Sequence, residues 1–250
     1  MLSSLSGPSK QTLRRYLRPW LTPLLQTACP LCDRATPHTF CTDCQRQLEH
    51  LWSGSRWHPL QAQSAARPFP SERVCTLGHY SGTLKRAILA LKYQGRTDVA
   101  RPLGMALAQQ HQTAQVVVNQ HNPPQARPYV IPIPLHTERQ KVRGYNQAEL
   151  LARAFCSASR LPLLPHGLVR SRATLPQHQL GKCDRQQNLH GVFEAGPSLR
   201  KLCRSPRRNI SVLLLDDIYT TGSTIDSAIA ALAPLGIKIE GVLTAAKASL

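Results

Sequence analysis

The most informative stretch of hydrophobic and polar positions runs from Val212 to Thr224. Four consecutive apolar residues, Val212 to Leu215, precede two carboxylates, Asp216 and Asp217, and then Ile-Tyr-Thr-Thr-Gly-Ser-Thr. A short unbroken apolar run of this kind predicts a strand covered on both faces of a parallel sheet. From Thr224 the period changes. Ile225, Ile229, Leu232 and Leu235 form one stripe of a helix, Gly236 stands where a C-terminal cap belongs, and Ser223 or Thr224 is the expected N-cap. The pattern therefore reads strand, tight loop, helix.

The same two periods organise the middle of the chain. Leu84, Ile88 and Leu91 make a helical stripe with Thr83 as its cap, and a second helix is expected over Val99 to Gln110. A Gln/Asn/Pro-rich loop follows, and then a short buried strand from Tyr129 to Ile133 that Pro132 and Pro134 stop in a rigid loop. Past that loop stand Arg139, Lys141 and Arg143, a basic cluster before Gly144-Tyr145-Asn146-Gln147, and a helix from about Asn146 to Ser159 is built on Leu150, Leu151, Ala154 and Phe155. Leu168-Val169 and Val192-Phe193 could pair as a hairpin around a Gln-rich insert, a small hood over the loop side of the sheet. Pro59 to Arg73 lacks periodicity and reads as a linker.

The loop after the acidic pair has the composition of an anion site. Backbone N–H groups at a helix start favour an anion, Gly222 allows close approach of a phosphate, and Thr220, Thr221, Ser223 and Thr224 supply hydroxyl donors. Asp216 and Asp217 are suited to a different task, accepting hydrogen bonds from sugar hydroxyls or holding Mg²⁺ directly or through water. Together they complement a ribose 5-phosphate. Walker A and Rossmann glycine patterns are absent. The bland alternative, a strand ending in a polar turn, suffers from the cost of adjacent enclosed carboxylates with no Lys or Arg nearby in the sequence.

Charge and cysteines extend the picture. The 250 residues, 42% of them apolar, suffice for one sizeable α/β core and a small appendage. Of the formal net charge of +18, the segment 128–211 carries +10, whereas 212–250 carries −2. The excess suits a polyphosphate or a nucleic-acid backbone, the alternative being a solvated basic surface. Lys92 and Tyr93, followed by Gly95 and Arg96, could meet a phosphate or simply form such a surface. Cys29, Cys32, Cys41 and Cys44 form two C-x2-C pairs. Two knuckles of thiolates around one Zn²⁺ would close a structural site and fold this short segment; paired disulfides or a redox motif are the alternatives. Cys75, Cys156, Cys183 and Cys203 read as small hydrophobes or free thiols, and the histidines, His136, His178 and His190 among them, as surface residues. No apolar run approaches the roughly 18 residues that span a bilayer. Lys10, Arg14, Arg15 and Arg18 lie among Ser and Leu without an apolar core, so we expect no secretory signal and a cytoplasmic chain, a transit-like leader being the other option.

Val-Leu-Leu-Leu-Asp-Asp-Ile-Tyr-Thr-Thr-Gly-Ser-Thr resembles the phosphoribosyl diphosphate signature of the type I phosphoribosyltransferases. The purine-salvage branch carries an aspartate where Thr220 stands, which disfavours that branch. With the paired cysteine knuckles, ALKYQGR, VIPIPLH, RGYNQ and the TLPQ…RQxNLxGVF block, all in the same order, the chain resembles the ComF/GntX family from about Cys29 to Ala246. Composition leads us to expect a flexible basic N-terminus over 1–25 and a linker over 59–75, and the resemblance implies a four-cysteine zinc module over 26–58 and a type I phosphoribosyltransferase domain over 76–250. That α/β domain is a parallel twisted sheet flanked by helices. By the same resemblance Asp216 and Asp217 hold the ribose hydroxyls, Thr220 to Thr224 hold the 5-phosphate, and Arg139, Arg143 and the Pro132–Leu135 loop lie near the pyrophosphate, with Mg²⁺. Two functions stay open. One is a phosphoribosyltransferase or phosphoribosyl diphosphate binder serving DNA uptake, competence or DNA utilisation. The other is a non-catalytic protein that handles single-stranded DNA, alongside competence-machinery proteins, and keeps the fold as an anion scaffold. Many members carry a further cysteine pair, which residues 45–74 lack, so a second metal site is not expected.

Overall fold

The computed structural model describes residues 27–52, 57–59, 73–119, 127–170, 192–204 and 210–248. The N-terminal basic segment, most of the linker, the loop 120–126, and the hood insert 171–191 with His178, Cys183 and His190 lie outside the described residues.

Two short strands, β1 (Thr27–Ala28) and β2 (Ala35–Thr36), pair antiparallel around the first cysteine knuckle, and α1 (Thr42–Trp52) begins within the second and carries Cys44. β3 (Trp57–Pro59) and β4 (Arg73–Thr76) are antiparallel neighbours. The chain continues through α2 (Gly82–Tyr93), α3 (Ala100–Asn119), β5 (Tyr129–Pro132), α4 (Thr137–Arg143) and α5 (Gln147–Ser159). After β6 (Leu168–Arg170), β7 (Phe193–Ala195) and α6 (Pro197–Cys203) come β8 (Ser211–Tyr219), α7 (Ser223–Leu232) and β9 (Lys238–Lys247). The main sheet has the order β3-β4-β9-β8-β5, and all neighbours except β3 and β4 run parallel. The parallel α/β class expected from the sequence is the observed one.

The unbroken apolar run of β8 is explained by cover on both faces. Leu213 and Leu215 enter one buried cluster with Leu84, Ile88 and Leu91 of α2, Leu103 and Leu107 of α3, and Leu151 and Phe155 of α5. Val212 and Leu214 enter the opposite cluster with Ile131, Leu168, Phe193, Ile225, Ile229 and Leu232. Alternate side chains of one strand thus feed two cores, and no polar residue can interrupt them. The cysteine knuckles join the first of these: Cys29, Cys41, Cys44, Leu48 and Trp52 are contiguous with Leu84 and Leu91. Thr83 does not cap α2, whose N-cap is Ser81; its hydroxyl donates to Gln47 Oε1 of α1 at 2.9 Å. The second predicted helix runs on to Asn119, and the basic cluster of Arg139, Lys141 and Arg143 lies on the short helix α4, which the sequence pattern does not predict. The hairpin is present, with Leu168 opposite Ala195 and Arg170 opposite Phe193.

Helices α3 and α5 cross where Gly104 has no side chain. A Cβ there would lie 2.5 Å from Ala154 Cβ, 2.7 Å from Leu151 O and 2.9 Å from Phe155 N. Backbone atoms cannot move aside cheaply, so we expect Gly104→Ala to destabilise the fold by about 1–3 kcal/mol, as overpacking typically does. A denaturant midpoint unchanged from wild type would contradict this reading of the helix crossing.

Candidate functional site

The acidic pair lies in the last half of β8, two residues before the strand ends at Tyr219. Asp217 is 4% exposed, and Lys92 from the last turn of α2 brings its Nζ to 3.0 Å from Asp217 Oδ2. The ammonium lies outside hydrogen-bonding geometry, so this buried oxygen has a counter-ion but accepts no hydrogen bond among the described residues. Its position suits a hydroxyl or metal-bound water as donor. Asp217 N–H donates to Asp216 Oδ1 at 2.8 Å. Asp216 keeps part of its surface in water, yet its carboxyl group is crowded by protein atoms. Burial first, and then the neighbouring Asp217 carboxylate, push it up to about 8, against the Asp217 N–H and Lys92. Tyr80 stands in the same electrostatic neighbourhood: burial raises its hydroxyl, while Lys92 pulls it down.

Beyond Tyr219 the chain turns through Thr220 and Thr221 into α7. The N-cap is Gly222, not Ser223 or Thr224, because the turn needs a left-handed residue, φ +84°. Ser223 and Thr224 therefore occupy the first helical positions, where backbone N–H groups lack intrahelical partners. The hydroxyls of Thr221 and Ser223 lie 3.0 Å apart, and Asp226 N–H closes on Gly222 O at 2.8 Å. Hydroxyls, an exposed Thr220 and a helix start with a positive dipole end thus lie directly after the carboxyl pair.

The RGYNQ motif fixes the neighbouring edge. Ile133 N–H donates to Leu215 O at 2.8 Å, and Asn146 Nδ2 donates to Ile133 O at 3.0 Å while its Oδ1 caps α5 by accepting from Ala148 N. Gly144, φ +82°, ends α4. The Tyr145 hydroxyl donates to Leu91 O in α2. Arg143 bonds Gln147 and places its guanidinium 5.4 Å from the centroid of the Tyr93 ring. Arg139, one turn earlier on α4, lies within electrostatic reach of His136 and Arg170 instead. Of the two arginines singled out from the sequence, Arg143 stands by Tyr93, and Arg139 stands by Arg170 of the β6–β7 hairpin. His136 caps α4 through Nδ1, accepting from Glu138 N at 3.2 Å.

The four N-terminal cysteines converge. Their sulfur atoms all lie within 4.8 Å of one another, and Cys32 and Cys41 Sγ are 3.5 Å apart. That spacing is too long for a disulfide and close to the roughly 3.8 Å edge of a tetrahedron with metal–sulfur bonds of about 2.3 Å. Arg34 holds the Cys32 thiol down at about 6, chiefly through its backbone hydrogen bond, which favours a thiolate ligand. The donor set is that of a closed structural metal site and is consistent with zinc. Cys75 and Cys156, by contrast, are pushed up to about 12 by burial alone, as inert core thiols are.

Known proteins are similar to this chain over most of its length. Competence protein F of Haemophilus influenzae is 30% identical over 209 residues, covering 79% of this chain and 86% of that protein. The chain belongs to the ComF family. DNA utilization protein YhgH of Escherichia coli K12 is 27% identical over 199 residues (79% of this chain, 80% of that protein). Competence protein ComFC of Bacillus subtilis is 24% identical, also over 199 residues (79% and 68%). No family model matches the chain.

In this ComF chain the residue that sequence reasoning underrated is Lys92. It is 125 positions from Asp217 in the sequence and only 16% exposed in its side chain. The premise that no Lys or Arg attends the carboxyl pair is therefore corrected. A hint was present: Lys92 follows Leu91 in the buried stripe of α2, next to its core face. Arg96, by contrast, turns away and donates to Ala28 O at 2.7 Å.

The raised Asp216 carboxyl has a stability consequence. Unfolded, an aspartate titrates near 3.9. Between that pH and about 8 the folded chain holds one more proton than the unfolded chain, so stability falls as pH rises through this window. Asp216→Asn cannot ionise and should remove the slope. We expect its melting-temperature advantage over wild type to grow from pH 5 to pH 9; parallel profiles would contradict the enclosure of this carboxyl.

Proposed function

We propose that this chain binds phosphoribosyl diphosphate with Mg²⁺ at the carboxyl end of β8 and acts in DNA uptake or utilisation, as the names of its relatives indicate. The carrying observation is the buried Asp217 Oδ2, which has a counter-ion but no hydrogen-bond donor among the described residues, near the end of a central parallel strand. A ribose diol supplies that donor. Asp216 and Asp217 then hold the sugar hydroxyls, and Thr220, Thr221, Gly222, Ser223 and Thr224 wrap the 5-phosphate. Arg143 and Arg139 offer positive charge toward the pyrophosphate. Mg²⁺, when bound, neutralises charge on the leaving group.

The chemistry that this arrangement supports is displacement at the anomeric carbon. The bond to pyrophosphate breaks with its electron pair, and a bond to an acceptor forms. The two carboxylates favour the positive charge that develops on the ribose, while Arg143 and Arg139 favour the departing anion. The four cysteines hold Zn²⁺ as a structural ion away from this step. Calorimetry with Mg²⁺ and phosphoribosyl diphosphate should give saturable heat with wild type and none with the Asp216→Asn, Asp217→Asn double variant. Absence of wild-type binding would remove the proposal.

One observation favours single-strand handling at the same rim. Tyr93 is 73% exposed, Arg143 stacks on it, and Val142 beside Arg143 is 91% exposed among the cationic side chains of Arg139 and Lys141. An aromatic ring held in water by a cation is a platform for a nucleobase. On this reading Tyr93→Ala weakens binding of a single-stranded oligo(dT) by about 1–3 kcal/mol, roughly 5- to 150-fold, with the salt slope unchanged, and Tyr93→Phe restores it. Equal affinities of wild type and Tyr93→Ala would exclude Tyr93 from such a surface.

A further inference from the structure

The last turn of α2 is a junction of three contacts leading to three parts of the molecule. Lys92 faces Asp217 at 3.0 Å. The carbonyl of Leu91 accepts the Tyr145 hydroxyl from the RGYNQ segment. Gly95, φ +66°, then reverses the chain, and Arg96 sends Nη1 to Ala28 O at 2.7 Å, immediately before the metal-ligating Cys29. Asp98 holds the same guanidinium from behind, at 3.0 Å to Nε and 2.9 Å to Nη2. The knuckle it touches is itself closed by Cys29 N–H on Arg34 O at 2.9 Å.

The knuckles are therefore not a separate bead. Cys29, Cys41 and Cys44 share a buried cluster with Leu84, Ile88 and Leu91, and α1 is tied to α2 and α3 by Gln47 to Thr83 and by the Trp52 carbonyl to Gln110. Sites of this donor set order their surrounding backbone only with the ion in place. Loss of the ion would free Ala28, and with it the anchor of Arg96. The turn that carries Lys92 would then loosen, and Asp217 would lose the fixed placement of its counter-ion.

We propose that Arg96 is a positioning residue which couples metal occupancy at the four cysteines to ligand affinity at the Asp216–Asp217 pair through the end of α2. The inference rests on the reading of that pair as the phosphoribosyl diphosphate site. Coupling of this kind is reciprocal: the ligand must raise zinc affinity by the factor by which zinc raises ligand affinity, commonly 5- to 150-fold.

The test uses the full zinc-loaded chain. Zinc affinity is measured by competition with a chelating dye, with and without Mg²⁺ and phosphoribosyl diphosphate, and ligand affinity by calorimetry. In wild type we expect the ligand to tighten zinc at least about fivefold, the low end of such couplings. Arg96→Ala should weaken ligand binding by a similar factor and abolish the tightening, whereas Arg96→Lys, which keeps a donor for Ala28 O, should restore most of both. Wild-type zinc affinity indifferent to a ligand that binds would overturn the coupling, as would an Arg96→Ala chain with wild-type ligand affinity. If Arg96→Ala fails to fold, the wild-type comparison decides alone. If wild type binds no phosphoribosyl diphosphate, the site reading falls by itself, and the junction is read through Lys92→Met: weakened zinc retention supports it, and unchanged retention overturns it.

Discussion

Two carboxyl groups stand near the end of a strand whose preceding apolar residues are wholly out of water, and the Lys92 ammonium faces them. Enclosing one ionised carboxylate is costly, and enclosing two adjacent ones is more so unless one keeps its proton. The structure meets this constraint by parts: Lys92 neutralises Asp217, Asp217 N–H donates to Asp216, and burial holds Asp216 toward its protonated form. Among the described residues, Asp217 Oδ2 still accepts no hydrogen bond. Much of the surrounding architecture serves this edge. β5 is held level with β8 through Ile133 and Leu215, Asn146 holds Ile133, and Tyr145 holds the turn of α2 from which Lys92 reaches in.

The fold was largely legible because its central strand has no polar alternation and the helix after it has a clear stripe. Val212 to Leu215 could be read as doubly covered before any contact was known. Short-range chemistry was legible too: the cysteine spacing anticipates the sulfur cluster, and the small hydroxyl residues mark the turn. What the pattern hid was long-range or conformational. Nothing local distinguishes Lys92, which reaches a carboxylate far along the chain, from Lys85 on the same helix. Gly222 takes the cap because the turn requires positive φ, a demand that the Ser and Thr on either side of it obscure. Arg96 resembles a phosphate ligand at a helix end, yet the reversal at Gly95 points it at the knuckle.

The shared core of knuckles and sheet changes what the N-terminal segment does for the rest. A metal module joined only by a chain would fold and fail independently. Here Leu48 and Trp52 share one buried cluster with Leu84 and Leu91, so the packing of the knuckles and that of the helix presenting Lys92 are continuous. The basic excess is arranged compatibly: it is greatest over 128–211, the segment that includes α4 and the hairpin, and it reverses over 212–250, where the carboxyl pair stands.

The central claim is that Asp216 and Asp217 form one enclosed acidic pair completed by a sugar phosphate. Carbon-13 NMR of their side-chain carboxyls across pH, in the free chain and with Mg²⁺ and phosphoribosyl diphosphate, tests it most directly. The account expects Asp216 to titrate near 8 in the free chain and well below that with ligand bound. Asp216 titrating near the ordinary value of about 4, with no response to the ligand, would contradict it.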